Sequence, residues 1–146
     1  MKISKVTKRN FSEWLEMGLL FYSKHPEEKI RKEFKEILDS KKEAVFIAKN
    51  EDNTPLGFMN VSIRSDYVEG SKTSPVGYIE VIYAKKEHRK KGVAKQLFKE
   101  AEKWFVQKKL SEIGSDVEIH NHISQKFHKS LGFKKGETMV HYIREL

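Results

Sequence analysis

No cysteine occurs in this chain, and only three prolines do. The first absence excludes disulfides, thiolate-bound metals and a cysteine nucleophile. Also missing is any apolar run near the roughly 18–20 residues that cross a bilayer. The stretch Met1-Lys2-Ile3-Ser4-Lys5-Val6 lacks the apolar core of a signal peptide. The expectation is a cytoplasmic protein without a membrane partner. Repeats, low-complexity tracts and linker-like stretches are lacking as well, so residues 1–146 read as one domain. A domain of this length buries roughly 68–70% of the surface its unfolded chain exposes, enough for a core. With 38% hydrophobic and 34% charged residues the composition is globular rather than disordered.

What the chain has in excess is positive charge, a formal +8, and it is unevenly spread. Lys85–Lys109 holds ten Lys or Arg against three Glu. Leu110–Gln125 has no Lys or Arg but carries Glu112, Asp116 and Glu118, and Ser65–Ala84 sets Lys72 alone against Asp66, Glu69 and Glu80. Solvation of the surface would account for any one such block. A basic block between two acidic ones points to an anionic ligand and a cationic ligand held at different places.

Hydrophobic spacing predicts a mixed α/β chain. Lys2–Val6 alternates weakly, as a first strand. Phe11, Trp14, Leu15, Leu19 and Tyr22 recur at helical spacing, with Asn10 or Ser12 as cap. A second helix runs from about Pro26 to Leu38, its proline in the first turn. Ala44–Ala48 and Leu56–Ile63 form a hairpin around the turn residues Asn50–Pro55. Val76–Ala84 is an apolar, central strand. Gly92–Lys109 is an amphipathic helix that buries Val93, Leu97, Phe98, Ala101, Trp104 and Phe105. Ile113–Val117 is a short strand, Asn121–Leu131 a helix ended by Gly132, and Thr138–Ile143 a closing strand.

The sharpest local signal is Arg89-Lys90-Lys91-Gly92-Val93-Ala94, between an apolar strand and an amphipathic helix. The first N–H groups of a helix and the positive end of its dipole attract phosphate. Gly92 and Ala94 keep the approach open, no Ser, Thr, Asp or Asn caps the helix, and Lys90, Lys91 and Lys95 supply positive charge. The sequence is neither a Walker loop nor a three-glycine dinucleotide fingerprint.

In this setting Arg89-x-x-Gly92-x-Ala94 resembles the acetyl-CoA signature of the GCN5-related N-acetyltransferases. Downstream, Asn121, Ser124 and His128-Lys129-Ser130-Leu131-Gly132-Phe133 are similar to the second coenzyme-contacting segment of that superfamily. More narrowly, Ser62–Gly70, Ser74–Gly77, Glu80–Tyr83, His88-Arg89 and Gly114-Ser115-Asp116 resemble the aminoglycoside 6'-N-acetyltransferases, over nearly the full length. The resemblance implies a single-domain α/β (α+β) acyl-CoA N-acyltransferase fold: a mixed, mostly antiparallel sheet flanked by helices, with two central strands splayed to admit the coenzyme. It implies acetyl-CoA as co-substrate, an aminoglycoside as cationic acceptor and a homodimer. The pantetheine arm would lie along Ile82, Tyr83 and Ala84, the pyrophosphate on Lys90, Lys91, Gly92, Val93, Ala94 and Lys95. Asn121 and His128 would be further coenzyme contacts. Tyr22, Tyr67, Glu80, Asp116 and Glu137 would form the antibiotic side; the family often has Trp where this chain has Tyr22.

The residue types suit the chemistry. An ammonium must lose a proton before its nitrogen attacks a thioester, and Glu80 and Asp116 are the candidates to accept that proton, directly or through water. A backbone N–H near Ile82 would serve the oxyanion. At the position where many relatives carry a tyrosine acid stands His128; proton donor and packing or coenzyme contact both remain open for it. Acetylation of a polyamine or a protein amine is the alternative within the same fold. For His120-x-His122 with His128 nearby, neither a cysteine nor a clear third-ligand geometry supports a metal site. Trp104 and Phe105 fall on the buried helix stripe rather than among the exposed cations, which argues against a nucleic-acid-binding module.

Overall fold

The computed structural model describes residues 1–146. Its elements are β1 (Lys2–Lys5), α1 (Phe11–Phe21), α2 (Glu27–Asp39), β2 (Glu43–Lys49), β3 (Pro55–Arg64), β4 (Val76–Ala84), α3 (Val93–Gln107), β5 (Ile113–Ser115) and α4 (His122–Ser130). Five strands form one sheet in the order β1-β2-β3-β4-β5. The first four pair antiparallel and β4 pairs with β5 in parallel. This is the mixed, mostly antiparallel sheet expected.

Helices cover both faces. The buried stripe of α3 packs Val93, Leu97, Phe98, Ala101, Trp104 and Phe105 against Phe46, Met59, Val61 and Ile79. On the opposite face α1 and α2 bury Trp14, Met17, Ile30 and Phe34 against Val45, Ile47 and Phe58. There Trp14 stacks on Phe34 with ring centroids 4.0 Å apart. Gly77 lets α3 approach β4, because a Cβ on it would lie 2.6 Å from the Phe105 ring.

A break in β3–β4 register decides what the site looks like. Asn60 pairs with Val81 and Val61 with Ile79, so Glu80 has no partner and forms a β-bulge. The bulge reverses the strand's in–out parity. Ile79 and then Ile82 and Ala84 contact the α3 side, whereas Val81 and Tyr83 contact the α1–α2 side. β5 parts from β4 at the same place, its last pair being Ile79 with Ser115. Bulges sharpen local twist, so the strands diverge just beyond Glu80.

Several sequence expectations need correction. Thr138–Ile143 is not a strand: residues 133–146 have no regular structure, and Tyr142, Ile143 and Leu146 are fully or almost fully exposed. A strand is stable only as part of a ladder, and no edge of this chain's own sheet pairs with the segment. β5 ends at Ser115 rather than Val117 because β4 has turned away. Pro26 is the N-cap of α2, one residue ahead of its first turn. Asn10 precedes α1 without capping it; its side chain accepts from the Thr7 N–H instead.

Candidate active site

Behind the bulge, β4 offers a free edge. Ile82, Tyr83 and Ala84 pair with β3 only, through Met59, Phe58 and Gly57. Their unpaired sides face the gap left by β5, where an extended amide chain can add as a strand would. At its far end Arg89 Nε donates to the Ala84 carbonyl at 3.1 Å, tying β4 to the following loop.

That loop turns into α3 through two left-handed residues, Lys90 at φ 61° and Gly92 at φ 82°. Gly92 is the N-cap; no side chain caps the helix and no acid lies in its first turn. A Cβ on Gly92 would meet nothing within 4 Å, so the space over the first helical N–H groups is open. Exposed Lys90, Lys91 and Lys95 surround it, with Ala94 half-buried and Val93 anchored in the core. Open backbone donors, a helix dipole and ringed cations are what a diphosphate requires. The residues present therefore fit the coenzyme.

α4 contrasts with this. Asn121 is its N-cap and already accepts from the Ser124 N–H at 3.1 Å. Its C-terminus closes in a Schellman motif: Gly132 at φ 88° donates to the Lys129 carbonyl, Phe133 to that of His128. His128 is 9% exposed, with Nδ1 2.8 Å from the Ser124 carbonyl and Nε2 2.7 Å from Ser115 Oγ. A carbonyl only accepts, so Nδ1 carries a hydrogen, and Nε2 shares a hydrogen bond with the Ser115 hydroxyl. Both nitrogens are engaged, and the ring packs edge-on to Phe127 and Phe133. The ring thus joins α4 to β5.

On the α1–α2 side of the bulge the acidic residues gather. Glu80 Oε1 accepts from Ser62 Oγ at 2.6 Å and from Arg64 Nε at 2.9 Å, while Oε2 accepts from Arg64 Nη2 at 2.7 Å. The same guanidinium lies 3.4 Å over the Tyr78 ring, and the Tyr78 hydroxyl donates to Asp116 Oδ2 at 2.5 Å. Burial first, then the hydrogen bond to Asp116, pushes the Tyr78 hydroxyl far above the usual phenol range. The Glu80 hydrogen bonds raise Arg64 above its ordinary value. Burial and the Glu80 charge push the Glu43 carboxyl up, against the pull of the neighbouring Asn60 amide.

Tyr22 ends α1, packed edge-on against Phe21 and Phe34; burial, then Glu33 and Glu80, raise its hydroxyl. It packs against the α1–α2 core, on the side of the sheet that Glu80 faces. Tyr67 is 78% exposed in the loop that follows β3, 3.4 Å from Glu69. Glu137 stands in the exposed C-terminal arm with no hydrogen-bond partner, one residue past Gly136, which lies beside the Glu69 side chain. The structure thus joins Glu80, Asp116 and Tyr22 into one region, leaves Tyr67 at its rim and does not bring Glu137 into the network.

Ser62, Arg64 and Tyr78 were not singled out from the sequence. Their signal was there in part: Asn60, Ser62 and Arg64 alternate as polar residues along an otherwise apolar strand. The bulge that turns Glu80 toward them has no marker in the sequence. No group of three or more His, Asp or Glu is arranged to hold a metal ion.

Residues 11–133 match the Acetyltransferase (GNAT) family. The chain belongs to that family. Within it, the chain is 36% identical over 142 residues to an aminoglycoside N(6')-acetyltransferase type 1 of Salmonella enteritidis, covering 97% of each. It is 33% identical to the enzyme of that name from Acinetobacter haemolyticus, covering 100% of this chain and 99% of the other. Among solved structures, AAC(6')-Iy in complex with the bisubstrate analogue CoA-S-monomethyl-acetylneamine superimposes with a TM-score of 0.94 at 34% identity, over 99% of this chain and 98% of that one.

Proposed function

We propose that the protein transfers the acetyl group of acetyl-CoA to the 6'-amine of aminoglycoside antibiotics and so confers resistance to them, with residues 1–146 acting as one domain. The observation that carries this is the pairing of two opposite surfaces on one strand. β4 leads from the bulge carboxylate Glu80, through an unpaired edge, to the uncapped and cation-ringed start of α3. Relatives named for this activity at 33–36% identity over nearly the whole chain support the substrate class.

Each residue then has a task. The first turn of α3 holds the diphosphate, and the β4 edge at Ile82–Ala84 hydrogen-bonds the pantetheine amides. Tyr22 and Tyr67 offer ring faces to the sugars. Glu80 and Asp116 attract the substrate's ammonium groups, and one of them, directly or through water, takes the proton from the attacking nitrogen. A nitrogen–carbon bond forms as the carbon–sulfur bond breaks, and a backbone N–H near Ile82 steadies the carbonyl oxygen in between. Transfer is direct, because the chain has no cysteine to carry the acyl group. The enzyme works in the cytoplasm, where acetyl-CoA is held. It works as a homodimer: Val140, Tyr142, Ile143 and Leu146 are exposed on the C-terminal arm, and a second copy would cover them.

The test is release of the coenzyme thiol with kanamycin, tobramycin and spermidine as acceptors, with the acetylated nitrogen located by NMR. Turnover of the antibiotics at the 6'-amine is expected. Turnover of spermidine alone would transfer the reading to polyamines.

A further inference from the structure

We infer that Arg64 is a resident cation that occupies the acceptor's ammonium position on Glu80 and makes the site selective for polycations. The inference rests on the assignment of Glu80 to the acceptor side. Its ground is that the carboxylate is already engaged on both oxygens: two guanidinium nitrogens and the Ser62 hydroxyl donate to it. A carboxylate held in a bidentate guanidinium fork is poorly available, either to bind a second cation or to accept a proton. Substrate must displace Arg64 before Glu80 serves it.

The surroundings allow that displacement. The Arg64 and Glu80 side chains are 41% and 27% exposed, so the pair is not locked in the core. Arg64 also lines an open cleft of about 460 Å³ together with Ser65, Asp66 and Tyr67, so the guanidinium has room to move off Glu80. Through the Tyr78 ring beneath it, Arg64 lies beside the Asp116 carboxylate too, so one guanidinium screens both acids. A lone ammonium gains nothing by exchanging with a bidentate partner of equal charge. A substrate with several ammonium groups engages Glu80, Asp116 and the neighbouring acids together, and the exchange becomes favourable.

The experiment compares kcat/KM for kanamycin and for a mono-ammonium sugar, 6-amino-6-deoxyglucose, in the wild type, Arg64→Gln, Arg64→Lys and Glu80→Gln. Arg64→Gln is expected to raise kcat/KM for the mono-ammonium sugar by about tenfold relative to kanamycin, and Arg64→Lys by less, since a single ammonium still occupies Glu80. An unchanged ratio, or an equal fall of kcat on both substrates, would overturn the inference and leave Arg64 a support for Glu80. Arg64→Lys keeps the test open if Arg64→Gln fails to fold. Glu80→Gln separates the two readings: unaltered turnover in that variant removes Glu80 from the acceptor site itself.

Discussion

The Tyr78 hydroxyl on β4 and the Asp116 carboxylate, just past the end of β5, are joined by a hydrogen bond of 2.5 Å across the point where the two strands separate. Asp116 lies exposed in the irregular segment just past β5, and this bond fixes it beside the bulge. Asp116→Asn is expected to lower kcat/KM for kanamycin at least about tenfold. Tyr78→Phe, which frees the carboxylate without removing it, should cost about 1 kcal/mol of stability and raise KM with a smaller change in kcat. Affinity for coenzyme A should stay the same in both, by titration calorimetry. Unaltered kanamycin turnover in Asp116→Asn would remove that residue from the site.

Gly92 poses the converse test. Its φ of 82° suits glycine, and a side chain there would strain the turn although nothing crowds it. Gly92→Ala should cost roughly 1–2 kcal/mol in the left-handed conformation. It should weaken coenzyme A binding about tenfold while leaving the KM for kanamycin nearly constant. Equal coenzyme affinity in variant and wild type would place the diphosphate elsewhere.

Glu43 gives a pH dependence. Its folded-state value is raised above the ordinary 4.5, so the fold favours the neutral acid. That contribution is fully present below the unfolded value and is lost as pH rises through the folded one. At pH 7 the ionised side chain therefore burdens the fold. Glu43→Gln should raise Tm at pH 7 and leave it nearly the same at pH 4, and a larger gain at pH 4 would contradict the burial argument.

The C-terminal arm bears on assembly. Replacing Tyr142 and Ile143 by Asp should convert a dimer to a monomer in light scattering, without loss of the α3 or α1–α2 core, because neither side chain is buried in the single chain. A dimer that survives both changes is held by another surface.

The elements that came out as expected are those written in short-range periodicity. The α3 stripe from Val93 to Phe105 could be counted along the chain, as could the apolar run of β4 and the uncapped glycine between them. The closing strand failed because alternation in Thr138–Ile143 states only that one face is apolar, not which edge will pair with it. Pro26 and Asn10 show the ordinary uncertainty of a helix end, where one residue's shift changes the capping partner.

The amino-acid order by itself therefore determined the chemistry on offer: no thiol, a cation-ringed helix start, and carboxylates on the far side of an apolar strand. Tertiary structure alone decided how those groups meet. The unpaired residue at Glu80 reverses the parity of β4, turns a carboxylate toward Ser62 and Arg64, and parts β5 from β4 to open the edge. Such a bulge arises from the pairing of Asn60 with Val81 and of Val61 with Ile79, residues far apart in sequence, and no local pattern encodes that register.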